Sequence, residues 1–244
     1  MATELPVPVR RHPHWRVLFR PGSYETERIP NLAACWKTVE QNRVRLRGWD
    51  YPHLSSRDSE RGHGVDWIAS WSSFMERYEY WRLFQSGQFV HLFSVREATE
   101  SAWREKLKSL TEGHLKHVKG VDWEAVPGYL HISNFVYSMT EIFEFAARLC
   151  QHGIYEGSLS IGVELKGVKG FVLTTDWDRA WHSYYAATED EFGKTWEIRT
   201  DDLVAKSPEK SLDAMLWFFE RFGWLDPAIQ VLRQDQENFL KGRR

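Results

Sequence analysis

An α+β fold, one compact domain with a mixed and largely antiparallel sheet carrying about five helices, is what this chain predicts. Three observations lead there. Strand-like alternation and helix-like spacing of apolar residues are interleaved along all 244 residues. Turn residues punctuate these segments, but no stretch is rich enough in Gly, Ser or Pro to force a domain cut. Thirteen tryptophans, spread from Trp15 to Trp224, supply large rings for a well-specified core, and some of them suit a binding surface. A 42% hydrophobic and 27% charged composition belongs to an ordinary folded protein, so disorder is set aside.

The elements follow in order. Met1 to Pro13 is rich in Pro and Arg without apolar periodicity and reads as a flexible arm; residues 14–244 form the domain. Trp15, Val17 and Phe19 alternate as a strand that Pro21-Gly22 closes. Asn31 is placed to cap a helix with Leu32, Cys35, Trp36 and Val39 on one face. Val44 and Leu46 alternate with Arg43, Arg45 and Arg47, which reads as a second strand with one charged face, ended by Gly48 to Pro52. Ser55 to Gly64 is polar and reads as a mobile loop. Trp67 to Tyr78 fits both a helix, by spacing, and a strand, by aromatic content. Glu79–Gln85 and Gln88–Val95 form a hairpin about a two-residue Ser86-Gly87 turn. Thr99 is placed to cap a helix that stops near Gly113.

Tyr129 to Tyr137 reads as a strand running into Ser138-Met139-Thr140-Glu141, a capping box that would open a helix ending at Gly153. Leu159–Leu165 and Phe171–Thr174 read as a hairpin around Gly167 and Gly170. Trp196 and Ile198 mark one further strand. Ser207-Pro208 opens the strongest helix, with Leu212, Met215, Leu216, Phe219 and Phe222 inward and Gly223 as its stop. Asp226-Pro227 starts the last helix.

No apolar run approaches the roughly 18 residues of a membrane span, and the first twenty residues lack the apolar stretch of a secretory signal. Cys35 and Cys150 sit singly in apolar helical patterns, which suits a reducing cytoplasm better than a disulfide. The net charge of −2 hides an asymmetry: residues 1–50 hold nine basic and five acidic side chains, and the rest hold 23 and 29. A basic first segment on an acidic body can meet phosphate or dock on its own remainder.

Chemistry-bearing motifs are sparse. His114 and His117, like His12 and His14, lack the cysteine neighbours or H-E-x-x-H spacing of a zinc site, so no metal is expected. G-x-S-x-G is absent, and Ser160 between Gly157 and Gly162 has the wrong spacing for a nucleophile elbow. Gly162, Gly167 and Gly170 match no phosphate-binding loop, so no nucleotide cofactor is expected. Glu164 and Lys166 share one strand face, as in metal-dependent nucleases, where the acid holds Mg²⁺ and the lysine steadies the attacking water. That reading needs a second acid, Asp122 or Asp176, and a solvated cross-strand pair explains the motif more simply. Arg43, Arg45 and Arg47 with Trp49 and Tyr51 are the best nucleic-acid candidates, since guanidinium groups hold phosphates and rings stack bases; pairing with the fold's own acids is the competing reading. Asp176 and Asp178, with Trp181 and His182, suit a small-ligand pocket or, equally, a turn and helix cap.

Four strings carry a resemblance: Arg45-Leu46-Arg47-Gly48-Trp49-Asp50-Tyr51-Pro52, Tyr80-Trp81-Arg82-Leu83-Phe84-Gln85-Ser86-Gly87-Gln88-Phe89, Thr140-Glu141-Ile142-Phe143-Glu144-Phe145, and Trp217-Phe218-Phe219-Glu220-Arg221-Phe222-Gly223-Trp224. Over nearly its whole length the chain resembles a bacterial group found free-standing or attached to Schlafen-type, AlbA-like domains linked to DNA binding. The acidic and lysine signature of the Schlafen-type domain itself is missing. The resemblance implies an accessory or sensing role near nucleic acid, in regulation or phage defence, and it transfers no catalytic residue. The expectation is a non-catalytic module with a nucleic-acid or protein partner, no membrane partner and no cofactor. A nuclease at Glu164 and Lys166 and a ligand pocket at Asp176 and Trp181 stand as alternatives.

Overall fold

Strand alternation builds the centre of the molecule. The computed structural model describes residues 7–242 except 75, 114, 176–178, 180 and 182. A one-turn helix, α1 (Val7–Arg10), precedes β1 (His14–Pro21), where Trp15, Val17 and Phe19 are buried at alternate positions. The described part of the expected arm is tied down, because Val9 is buried against Ala69, Tyr80 and Leu92. α2 (Leu32–Asn42) starts as expected, with Asn31 Oδ1 accepting the Ala34 N–H at 2.8 Å.

The second strand does not form. Val44 and Tyr51 make an isolated bridge, and the residues between them are a loop. Asp50 folds back on Arg43, so the charge alternation belongs to a loop braced by its own acid. The polar stretch after it is structured too: a 3₁₀ turn at Asp58–Glu60 leads into β2 (Arg61–His63), and the buried Ser55 hydroxyl bonds Glu60. The ambiguous aromatic stretch resolves as β3 (Trp67–Phe74) and the start of β4 (Arg77–Phe84). Here pairing with neighbouring strands decides what spacing could not.

β4 and β5 (Phe89–Ser94) form the expected hairpin, with a three-residue loop instead of two. Phe84 N–H bonds Gln88 O, Gly87 N–H bonds Phe84 O, and Gly87 takes the left-handed φ of 83° that such a loop requires. Thr99 ends the single turn α3 (Arg96–Thr99) and bonds backward to Val95 and Arg96; α4 (Trp103–Glu112) begins without it.

β6 (Tyr129–His131) is three residues long, and α5 (Ile132–Gln151) starts well before the expected capping box. Phe135, Val136, Met139, Ile142, Phe143 and Ala146 form one buried helical stripe that runs straight through Ser138–Glu141. Thr140 Oγ1 therefore donates back to Val136 O at 2.7 Å, a bond of helix interiors. The hairpin expected at 159–174 is also replaced. β7 (Ser158–Lys166) pairs with β1, while β8 (Val172–Thr174) leaves the main sheet to pair in parallel with β6.

β9 (Glu191–Arg199) flanks β7, and α6 (Thr200–Arg221) follows at once. α6 is kinked at Lys206, two residues before Pro208, whose ring cannot continue the preceding turn; the expected helix is its second segment. α7 (Ile229–Leu240) closes the chain. The five expected helices are α2 and α4–α7, with α1 and α3 as additional single turns. The main sheet runs β2-β3-β4-β5-β1-β7-β9 with every neighbour antiparallel. α5 and α6 pack on one face, where Trp15 meets Phe135 and Phe218 at 5.0 and 5.4 Å. Among the described residues no helix is long and apolar enough to cross a membrane.

Candidate anion-binding cleft

At the β4–β5 end of the sheet, the loop between Val44 and Tyr51 lies over α5, and a cleft opens beside it. Arg47, Trp49, Arg77, Glu79, Arg96 and Asn134 line it. Alternation along β4 puts Arg77 and Glu79 on the same face, and Glu79 pairs across the sheet with Phe93 of β5.

Glu79 is the floor. Its Oε1 accepts the His53 N–H at 2.7 Å and contacts His91 Nε2 at 2.9 Å, and its Oε2 accepts the Trp49 indole N–H at 2.8 Å. An ionised carboxylate only accepts, so Nε2 of His91 carries the proton. Burial alone would raise the Glu79 carboxyl, but His91 and the two N–H donors outweigh it and hold it below the usual range. These bonds fix Trp49, whose ring also stacks on His53 at 3.9 Å.

One wall is an ion pair. Arg47 Nε and NH2 grip the two oxygens of Glu141 at 2.9 and 2.5 Å, and NH2 also reaches Ser138 Oγ at 3.4 Å. The Glu141 side chain is 0% exposed. Burial raises its carboxyl to about 7, Arg47 notwithstanding.

Arg77 differs from its neighbours. Half-buried, its guanidinium lies 5.5 Å from the Trp49 ring centroid and makes no ion pair or hydrogen bond to any described residue. Burial, then Arg96 and Arg47, push its pKa down. Arg96 and Lys106 across the cleft share Glu100. Glu97 is occupied on the inner side, where its Oε1 accepts the His131 N–H and the Asn134 amide. Glu79 and Glu100 act on Arg77 only at longer range, and a half-buried cation in contact with no acid, beside two further arginines and an aromatic plane, is an arrangement that a bound anion stabilises.

The sequence candidates divide. Arg47 and Trp49 line the cleft. Arg43 and Arg45 do not: Arg43 bonds Asp50 at 2.7 Å, and Arg45, 3.9 Å from the same carboxylate, points to solvent with 59% of its side chain exposed. The three guanidinium groups therefore share no strand face. Trp181 packs edge-on against Tyr185 and Trp224 at 5.4 and 5.0 Å, as part of an aromatic cluster. Asp176, Asp178 and His182 lie outside the described residues. Glu164 bonds Arg16 at 2.8 Å, and Lys166 bonds Glu191 at 2.6 Å, both on an open side of the sheet. Asp122 accepts from Glu124 N–H in a local turn. No group of three His, Cys, Asp or Glu among the described residues is arranged to hold a metal.

Arg77, Glu79 and Arg96 of the cleft, with His91 behind Glu79, carry no motif in the sequence, and Glu141 reads there only as part of a capping box. A signal existed for two of them: Arg77 and Glu79 share a strand face with Trp81 and Leu83, so two charges run in line with a buried stripe. Comparison of the chain with family models, curated proteins and solved structures gives no match.

Proposed function

We propose that the chain is a non-catalytic binding or sensing module whose ligand carries a phosphate or carboxylate group, taken up by Arg77 beside Trp49. The observation that carries this reading is the half-buried Arg77 guanidinium in the cleft, which makes no ion pair or hydrogen bond to any described residue and so has donors left for an anion. The engagement of the other charged groups supports binding over chemistry. Glu79 already takes three N–H contacts and Glu141 is gripped by Arg47, so both carboxylates are engaged in holding the cleft together. Phosphate is the anion of choice given the resemblance to proteins that work near DNA, with Trp49 as a stacking plane for a base. Arg43 and Arg45 give less support to a nucleic-acid surface, Arg43 being held by Asp50 and Arg45 lying outside the cleft. The nuclease reading also draws less support, because Glu164 and Lys166 are engaged by Arg16 and Glu191.

Titration calorimetry with inorganic phosphate, pyrophosphate and a short single-stranded oligonucleotide tests the proposal. Losing charge-assisted hydrogen bonds worth about 1.5–3 kcal/mol, Arg77→Gln should bind roughly ten- to a hundredfold more weakly. Arg43→Ala with Arg45→Ala should bind as the natural chain does. No binding of any probe, or equal binding by Arg77→Gln, would overturn the reading.

A further inference from the structure

β9 is the last strand of the main sheet, and its outer side has no partner strand among the described residues. The direction of its backbone groups follows from the ladder. Just past the strand, Thr200 N–H bonds Gly157 O at 3.1 Å, in the same register that pairs β9 with β7. In an antiparallel ladder, residues alternate between bonding one neighbour and turning N–H and C=O to the other side. Phe192, Lys194, Trp196 and Ile198 therefore bond β7. Glu191, Gly193, Thr195, Glu197 and Arg199 turn their backbone groups outward, and all five are exposed. Natural sheets usually shorten, cover, bulge, proline-block or charge such an edge. Here nine residues run without a proline, and the charges at the two ends of the strand, Glu191 and Arg199, are of opposite sign.

We propose that this edge binds a second copy of the chain, the two β9 strands pairing antiparallel about a two-fold axis at Thr195. That centre alone gives all five outward residues a partner. Thr195 faces Thr195 of the second copy, Gly193 faces Glu197, and Glu191 faces Arg199, so opposite charges meet at both ends. On the other side of the sheet, Phe192 faces Ile198, an apolar pair, and Lys194, which lies 5.6 Å from the Trp196 ring of its own chain, faces Trp196 of the second copy. Shifted registers lose these matches. A centre at Glu197 sets two glutamates face to face, and a centre at Gly193 leaves Glu197 and Arg199 without partners. Lys166 and Asp201 already hold Glu191 and Arg199 within the chain, and both contacts are exposed, so they compete weakly. An interface of this kind is isologous and closes at two copies, joining two seven-stranded sheets into one.

Sedimentation of the full chain at micromolar concentration, with hydrogen exchange, tests this. The natural chain should be a dimer with slow exchange at the Gly193, Thr195 and Glu197 amides. Thr195→Pro removes one outward N–H and no bond to β7, and should give monomers whose circular dichroism is unchanged. Arg199→Glu sets like charges opposite each other and should raise the dissociation constant at least tenfold; adding Glu191→Arg should restore it. The charge variants change exposed positions, so they remain informative if the proline variant misfolds. A monomeric natural chain, a dimer indifferent to Arg199→Glu, or failure of the double reversal to restore pairing would overturn the proposal.

Discussion

Replacing Arg47 by Ala would leave the Glu141 carboxylate, 0% exposed, without the cation that grips it. Breaking a buried ion pair from one side costs about 3–5 kcal/mol, because a bare charge stays behind. The size of that cost depends on pH. Glu141 titrates at about 7 in the folded chain against an ordinary 4.5, a shift worth roughly 3 kcal/mol. Its folded pKa is raised, so the stability linked to its proton is fully present below 4.5 and is lost as pH rises toward about 7. Near pH 5 the acid is mostly protonated with or without Arg47, and Arg47→Ala then forfeits only hydrogen bonds, about 1–2 kcal/mol. Above neutrality the full cost returns, lowering the melting temperature by about 6–20 °C for a chain of this size. Urea unfolding of the natural chain, Arg47→Ala and Glu141→Gln at both pH values measures it. Glu141→Gln should flatten the pH dependence between these limits. An Arg47→Ala cost that is equal at both pH values, or below about 1 kcal/mol throughout, would mean that Glu141 is not a buried acid held by Arg47.

Phe219, fully buried against Phe135 and Trp224 at 4.9 and 5.0 Å, should cost about 3–5 kcal/mol on truncation to Ala, and an unchanged thermal midpoint would mean that the α6 stripe is not core. Burial raises the Cys35 and Cys150 thiols to about 11 and about 12, so both should resist alkylation at neutral pH in the folded chain and react once it is denatured; rapid native labelling would contradict their burial. Trp49→Phe keeps the ring and removes the donor to Glu79, so it should weaken anion binding less than Trp49→Ala, as fluorescence or calorimetric titration would show.

Local signals proved legible and distant pairings did not. The Asn31 cap, the β4–β5 hairpin, the Pro208 start and the Gly223 stop depend on residues within a few positions, so the chain states them directly. The supposed capping box at Ser138–Glu141 failed because the same spacing of hydroxyl and acid also occurs on one side of a helix interior; the stripe continuing from Phe135 to Ala146 was the stronger signal. β8 looked like half of a hairpin with β7, but its partner, β6, lies some forty residues earlier. Arg43, Arg45 and Arg47 mimicked a strand because alternation in a short loop cannot be told from pleating until pairing is known. The cleft was hidden for the same reason. Glu79 meets Trp49 and His91, and Arg47 meets Glu141, contacts spanning 12 to 94 positions that only the assembled sheet and α5 bring together.

The most direct test of the cleft is a crystal of the full chain soaked in selenate, a phosphate-shaped anion located by its anomalous signal. A peak is expected within hydrogen-bond distance of the Arg77 guanidinium, bordered by Trp49. Selenate found only at other surfaces, with nothing at Arg77, would contradict it.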